Sequence, residues 1–140
     1  MKRMVRLGRM RQLIRQIPPM AFDLNRAEAT ATKITATLTG MPRGTDNHSK
    51  VEDGAIMIAA LRDAYDEACE ELEAMQDELD PLISTLDNAD WIAAMRLRYI
   101  MRFTPKEIGD SNYRVERTVF RYLRKAEARL IEMYPDRVSE

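Results

Sequence analysis

The chain has 140 residues, 45% of them apolar and 32% charged, and a formal net charge of −1, which fits one domain or two small helical units able to bury a core. A single cysteine, Cys69, excludes an internal disulfide framework and fits a reducing compartment, and a single histidine, His48, excludes a His/Cys metal cluster. No apolar run approaches the ~20 residues that span a bilayer, and the basic N-terminus lacks the uninterrupted apolar stretch of a secretory signal. The near-zero net charge conceals sorting along the chain. Residues 1–20 carry six basic side chains and no acid. Residues 52–80 carry eleven acids against Arg62 alone, and residues 96–129 carry ten basic side chains against four acids. Such sorting points to internal pairing, pairing with a partner, a polyanion site, or a combination of these.

Every strong periodicity is helical and no segment alternates as a strand does, so the predicted fold class is all-α. The first helix covers about residues 2–17, with Met4, Leu7, Met10, Ile14 and Ile17 in one stripe, and Pro18-Pro19 is read as its end. Its basic face suits a membrane surface or a neighbouring helix; the acidic 52–80 segment favours the second. A second helix is predicted over about 22–39, with Leu24, Ala27, Ala31, Ile34 and Leu38 on one side. Gly40 takes the C′ position beyond it and Pro42 prevents its resumption. Residues 40–49 form a polar loop, the best place for a hinge or a proteolytic nick.

Ser49 followed by Glu52 predicts a capping box for a third helix. In it Ile58, Leu61, Tyr65, Ala68, Leu72, Met75 and Leu79 alternate at +3 and +4, a heptad seam. From 50 to 79 this helix would be about 45 Å long, against about 37 Å for the diameter of a compact 140-residue chain. The expectation is a projecting arm of a hairpin or a dimer stalk, stopped or kinked at Asp80-Pro81. A helix over 89–101 follows, capped by Asp87 or Asn88. Thr104-Pro105-Lys106-Glu107 predicts a second capping box and a short helix to about Asp110. Ser111, Asn112 and Tyr113 make the turn, a last helix runs over about 114–133, and the residues after Pro135 read as a frayed tail. The resulting division is an N-terminal helical, oligomerising region over 1–87 and a DNA-binding region over 88–140.

Catalysis finds little support. His48 lies in a polar loop with no paired nucleophile. The acids Asp63, Asp66, Glu67, Glu70 and Glu71 lack the Glu-x-x-His partner that a four-helix di-metal site uses. They read as a solvated face; the protein reads as a non-enzyme with no cofactor.

The last helix is the informative one. Val119, Leu123, Ala126 and Leu130 share one face, and Arg114, Arg117, Arg121 and Arg124 line the opposite one. A helix anchored on one side and basic on the other suits the major groove, which is about 12 Å wide. The candidate DNA-binding residues are Lys106, Arg114, Glu116, Arg117, Thr118, Arg121, Arg124 and Lys125. Arg114, Arg117 and Arg121 are assigned to bases or nearby phosphates, Arg124 and Lys125 to phosphates or neighbouring acids, Glu116 to a cytosine amino group, and Lys106 to a phosphate.

These residues resemble region four of the bacterial sigma-70 family, and more closely the small phage regulators with a sigma-like helix-turn-helix, of the late-gene activator type. The matching residues are Arg98-Tyr99, Thr104 to Gly109, Val119-Phe120-Arg121, Ala126 and Leu130. The upstream stretches Leu38–Gly44 and Lys50–Asp53 are also similar to such proteins. Three departures stand out: Gly109 in place of an Ala, Glu127 in place of the first closing Leu, and a turn whose cap is Ser111 or Asn112. The resemblance implies a phage or prophage transcription regulator in the bacterial cytoplasm. It would bind double-stranded DNA, contact RNA polymerase, and dimerise through the 50–80 helix. A small terminase-like DNA-packaging subunit and a helical protein-interaction module without DNA binding are the competing readings. None of the three calls for a membrane.

Overall fold

A computed structural model describes residues 3–39 and 45–140, with side chains for 3–33 and 52–140. The fold is all-α. Among the described residues the helices are α1 (Leu7–Thr39), α2 (Thr45–Ile83), α3 (Ala89–Met95), α4 (Pro105–Ser111) and α5 (Glu116–Met133), with a π-helical segment over Arg96–Ile100. A parallel pair of two-residue strands, β1 (Val5–Arg6) and β2 (Val138–Ser139), adds a register of Val5 opposite Val138.

Two predicted stops do not stop the chain. α1 runs through Pro18-Pro19, joining the two helices predicted over 2–17 and 22–39, and α2 runs through Pro81. Each proline removes one amide donor. All three are exposed, where water can take the place of the missing donor. Pro81 also falls in the last turn of α2, which buried Leu82 and Ile83 hold in place. α2 begins at Thr45, so Ser49 stands inside the helix rather than at its cap, and residues 45–49 are helical rather than loop. Thr45, Asp46 and Asn47 are residue types that favour a helix start. Gly40 and Pro42, with the rest of 40–44, lie outside the described residues, as do the side chains of Ile34, Leu38, His48 and Ser49.

The chain forms two compact units, Met1–Ile14 with Glu71–Glu140, and Arg15–Glu70. In the second unit Leu24 and Ala68 are buried, Ala27, Ala31, Ile58, Leu61 and Tyr65 are half-buried, and Arg62 pairs with Glu28. In the first, the heptad positions Leu72, Met75 and Leu79 are buried in one core with Leu7, Met10 and Leu13 of α1 and with Met95, Ile108, Leu123 and Leu130. The basic start of α1 covers a neighbouring helix as charge sorting predicts: the Arg9 guanidinium forks onto Glu71 at 2.7 and 3.0 Å. The tail is not frayed. Val138 is fully buried, the Val5 amide donates to the Arg137 carbonyl at 2.8 Å, and that of Gly8 to the Glu140 carbonyl at 2.9 Å.

Candidate nucleic-acid interface

α3 begins where Asn88 accepts the amides of Asp90 and Trp91 at 2.9 and 3.2 Å, so Asn88 rather than Asp87 is the cap. The ladder then widens to i→i−5, with the Met101 amide donating to the Arg96 carbonyl at 2.9 Å. Gln76 of α2 donates to the Tyr99 carbonyl at 2.8 Å, taking up an acceptor at the end of the π segment. Tyr99 is thereby held in the core, fully buried.

α4 carries the predicted capping box. Thr104 Oγ1 accepts the Glu107 amide at 3.2 Å, and Glu107 Oε1 accepts the Thr104 amide at 3.0 Å. These bonds hold the Glu107 carboxyl below the ordinary carboxylate range. The turn into α5 departs from expectation. Ser111 and Asn112 do not cap α5; they donate back to the Glu107 and Ile108 carbonyls at 2.9 and 3.0 Å, closing α4. Tyr113 takes a left-handed φ of 55°, and Val115 is the N-cap of α5 with no side-chain cap. The Arg114 amide donates to the Gly109 carbonyl at 2.9 Å. A Cβ at Gly109 would stand 2.6 Å from the Arg114 carbonyl oxygen, so the glycine permits this close approach of the turn to α4.

α5 buries Val119, Leu123, Ala126 and Leu130, the predicted stripe. Arg117, Arg121, Arg124 and Lys125 are exposed on the other side, with Glu116 exposed and Thr118 half-buried at the helix start. Glu116, Arg117, Thr118, Phe120, Arg121 and Arg124 line one shallow surface depression. Lys106 is exposed in the first turn of α4. Arg114 is not part of the α5 stripe. It precedes the helix, forms an ion pair with Asp90 at 3.5 Å, and lies 5.4 Å from the centre of the Tyr122 ring. The left-handed turn at Tyr113 delays the helix start by two residues, which is why periodicity alone misplaces it.

Several arginines of the chain find acids: Arg9 with Glu71, Arg11 with Glu127 and Glu140, Arg62 with Glu28, Arg96 with Asp80, Arg129 with Glu132, and Arg137 with Glu78, while Arg15, Arg26 and Arg102 stand singly along the chain without an ion pair among the described residues. Among the described residues Lys106, Arg117, Arg121, Arg124 and Lys125 make no such pair. Glu127, one turn along α5, does not neutralise them, because it is turned inward onto Tyr99 and Arg11. Phe120 is the residue that periodicity overlooks. It lies one position past Val119, off the apolar stripe, and is 45% exposed among the arginines.

A family model described as "Protein of unknown function (DUF1492)" matches residues 38–131. The chain belongs to this family. The matched span contains every basic side chain of the α4–α5 surface, and it leaves out Arg11 and both strands. No curated protein and no solved structure matches the chain. Among the described residues no helix is long and apolar enough to cross a membrane, and no group of three or more His, Cys, Asp or Glu side chains is placed to hold a metal ion.

Proposed function

We propose that this DUF1492 member is a sequence-specific DNA-binding transcription regulator of phage or prophage origin, with α5 as the helix that enters the major groove. One observation carries the reading: Arg117, Arg121, Arg124 and Lys125, exposed along the first part of α5, have no acid partner among the described residues, whereas Arg129 further along the helix pairs with Glu132 and arginines elsewhere pair with Glu71, Glu127, Glu28, Asp80 and Glu78. Unpaired guanidiniums gathered on one helix face suit phosphates and the acceptor edge of guanine. The uncapped start of α5 adds free amide donors at the same end. Arg117 and Arg121 are the base readers in this proposal, Arg124, Lys125 and Lys106 contact phosphates, Glu116 accepts from cytosine, and Arg114 borders the site on its Asp90 pair. Contact with RNA polymerase belongs to the same proposal through the sigma region-four resemblance. Pairing of two copies would use exposed Ile56 and Met57 of α2, since the heptad positions 72, 75 and 79 are already buried within the chain.

The test is a salt titration of duplex binding. Affinity should fall with a log–log slope of about −0.9 per phosphate contacted. No affinity for duplex DNA at low salt would leave the protein-interaction module as the better account. Solution mass, measured in parallel, separates a monomeric or dimeric regulator from a packaging ring of several subunits.

A further inference from the structure

The basic face of α5 carries apolar side chains that the core does not use. Eight large apolar side chains are well exposed among the described residues, and three of them, Tyr113, Val115 and Phe120, fall within the short stretch that leads into and opens α5. Phe120 lines the same depression as Arg117, Arg121 and Arg124, although its neighbours Val119 and Leu123 are buried. Guanidiniums alone would serve phosphates and guanine acceptors. A phenyl ring set among them calls for an apolar group inside a polyanionic surface. The major groove of duplex DNA projects one such group, the C5 methyl of thymine.

Resting on the DNA-binding proposal, we infer that Phe120 packs on a thymine C5 methyl and makes the site select an A·T pair at one position of its target. Arg117 and Arg121, which line the same depression, bring the ring into the groove by their attraction to the duplex. Phe120 then adds selectivity at a position where guanidiniums supply none.

Bound duplexes are selected from a random pool with the wild-type chain, and each thymine in a selected duplex is replaced in turn by deoxyuridine, which removes one methyl from the groove. Wild type should lose about fourfold in affinity at one thymine, the equivalent of one buried methyl. Phe120→Ala should bind the thymine and uracil duplexes equally. Phe120→Leu, which keeps an apolar contact, should retain part of the preference and serves if the alanine variant does not fold. A wild-type chain that binds in a salt-dependent way yet ignores every replacement overturns the inference and leaves DNA binding standing. So does a Phe120→Ala variant that keeps the thymine preference. Failure of the wild-type chain to bind any duplex removes the DNA-binding proposal and this inference together.

Discussion

Tyr99 donates its phenolic proton to the Glu127 carboxylate, and Arg11 reaches both, at 2.9 Å to the Tyr99 oxygen and 3.5 Å to Glu127. Glu127 occupies the α5 position where the resembling helices carry a leucine, and this trio explains how an acid sits there. Burial pushes the Glu127 carboxyl above the ordinary carboxylate range, while Tyr99 and Arg11 draw it back. Arg11→Met should therefore cost more than Glu127→Leu. The first leaves a buried carboxylate short of its cation, at about 1–3 kcal/mol; the second leaves Tyr99 still bonded to Arg11, at about 1 kcal/mol or less. Urea unfolding of both single variants and the double variant measures this, and strictly additive effects would contradict it.

The same trio sets an alkaline limit. Burial first, then the charge of Glu127, raise the Tyr99 phenol above its ordinary value of 10.0. The unfolded chain loses that proton near pH 10 while the folded chain keeps it, so unfolding releases a proton and stability falls as pH rises past about 10. Tyr99→Phe should lose this component, visible as a flatter dependence of the urea midpoint on alkaline pH.

On the acid side two glutamates oppose each other. The hydrogen bonds from Arg9 hold the Glu71 carboxyl below its ordinary 4.5, so its contribution is present above pH 4.5 and is lost as pH falls through the lower folded value. Glu127, held above 4.5, instead gains as pH falls through its own range. The stability gap between wild type and Glu71→Gln should shrink below pH 4.5, measured as unfolding midpoints. A gap that widens there would refute the pairing.

Gly109→Ala should destabilise, although alanine is the better helix former by about 1 kcal/mol. The added Cβ meets a backbone carbonyl oxygen at 2.6 Å, and overpacking of that kind costs about 1–3 kcal/mol. A variant melting at or above the wild-type temperature would mean that the turn yields freely.

Arg117→Ala should cost about 1–3 kcal/mol of specific binding and relax the sequence preference at one position. Arg114→Ala should change binding less, because its guanidinium is engaged with Asp90 beside Tyr122. Leu123→Ala, 5% exposed on the buried stripe, should lower stability by about 2–5 kcal/mol and serves as a folding control. Equal loss of specificity in Arg114→Ala and Arg117→Ala would restore Arg114 to the reading face.

The helical class, the Thr104–Glu107 capping box and the buried stripe of α5 were legible because each is written in local spacing. The continuity of α1 and α2 was not: the proline rule is local, whereas the packing of Leu82 and Ile83 and the exposure of Pro18-Pro19 are set by the fold. The start of α5 was lost to a left-handed tyrosine, a conformation that no residue pattern around Tyr113 announces. Nor could periodicity place Arg11 against Tyr99, or join Val5 to Val138, since both contacts bridge most of the sequence.

The Val5–Val138 pairing has a consequence for the order in which this protein is made. At about 5–20 residues per second, synthesis reaches Val138 roughly 6–25 s after residue 14 has been added. Through that interval Val5 lacks its strand partner, while Leu7, Met10 and Leu13 gain their core neighbours only as residues 72–130 are made, with a long loop still to close. The unit that carries the basic helix therefore closes fully only once Val138 has been made, and until then its first strand stands without its partner.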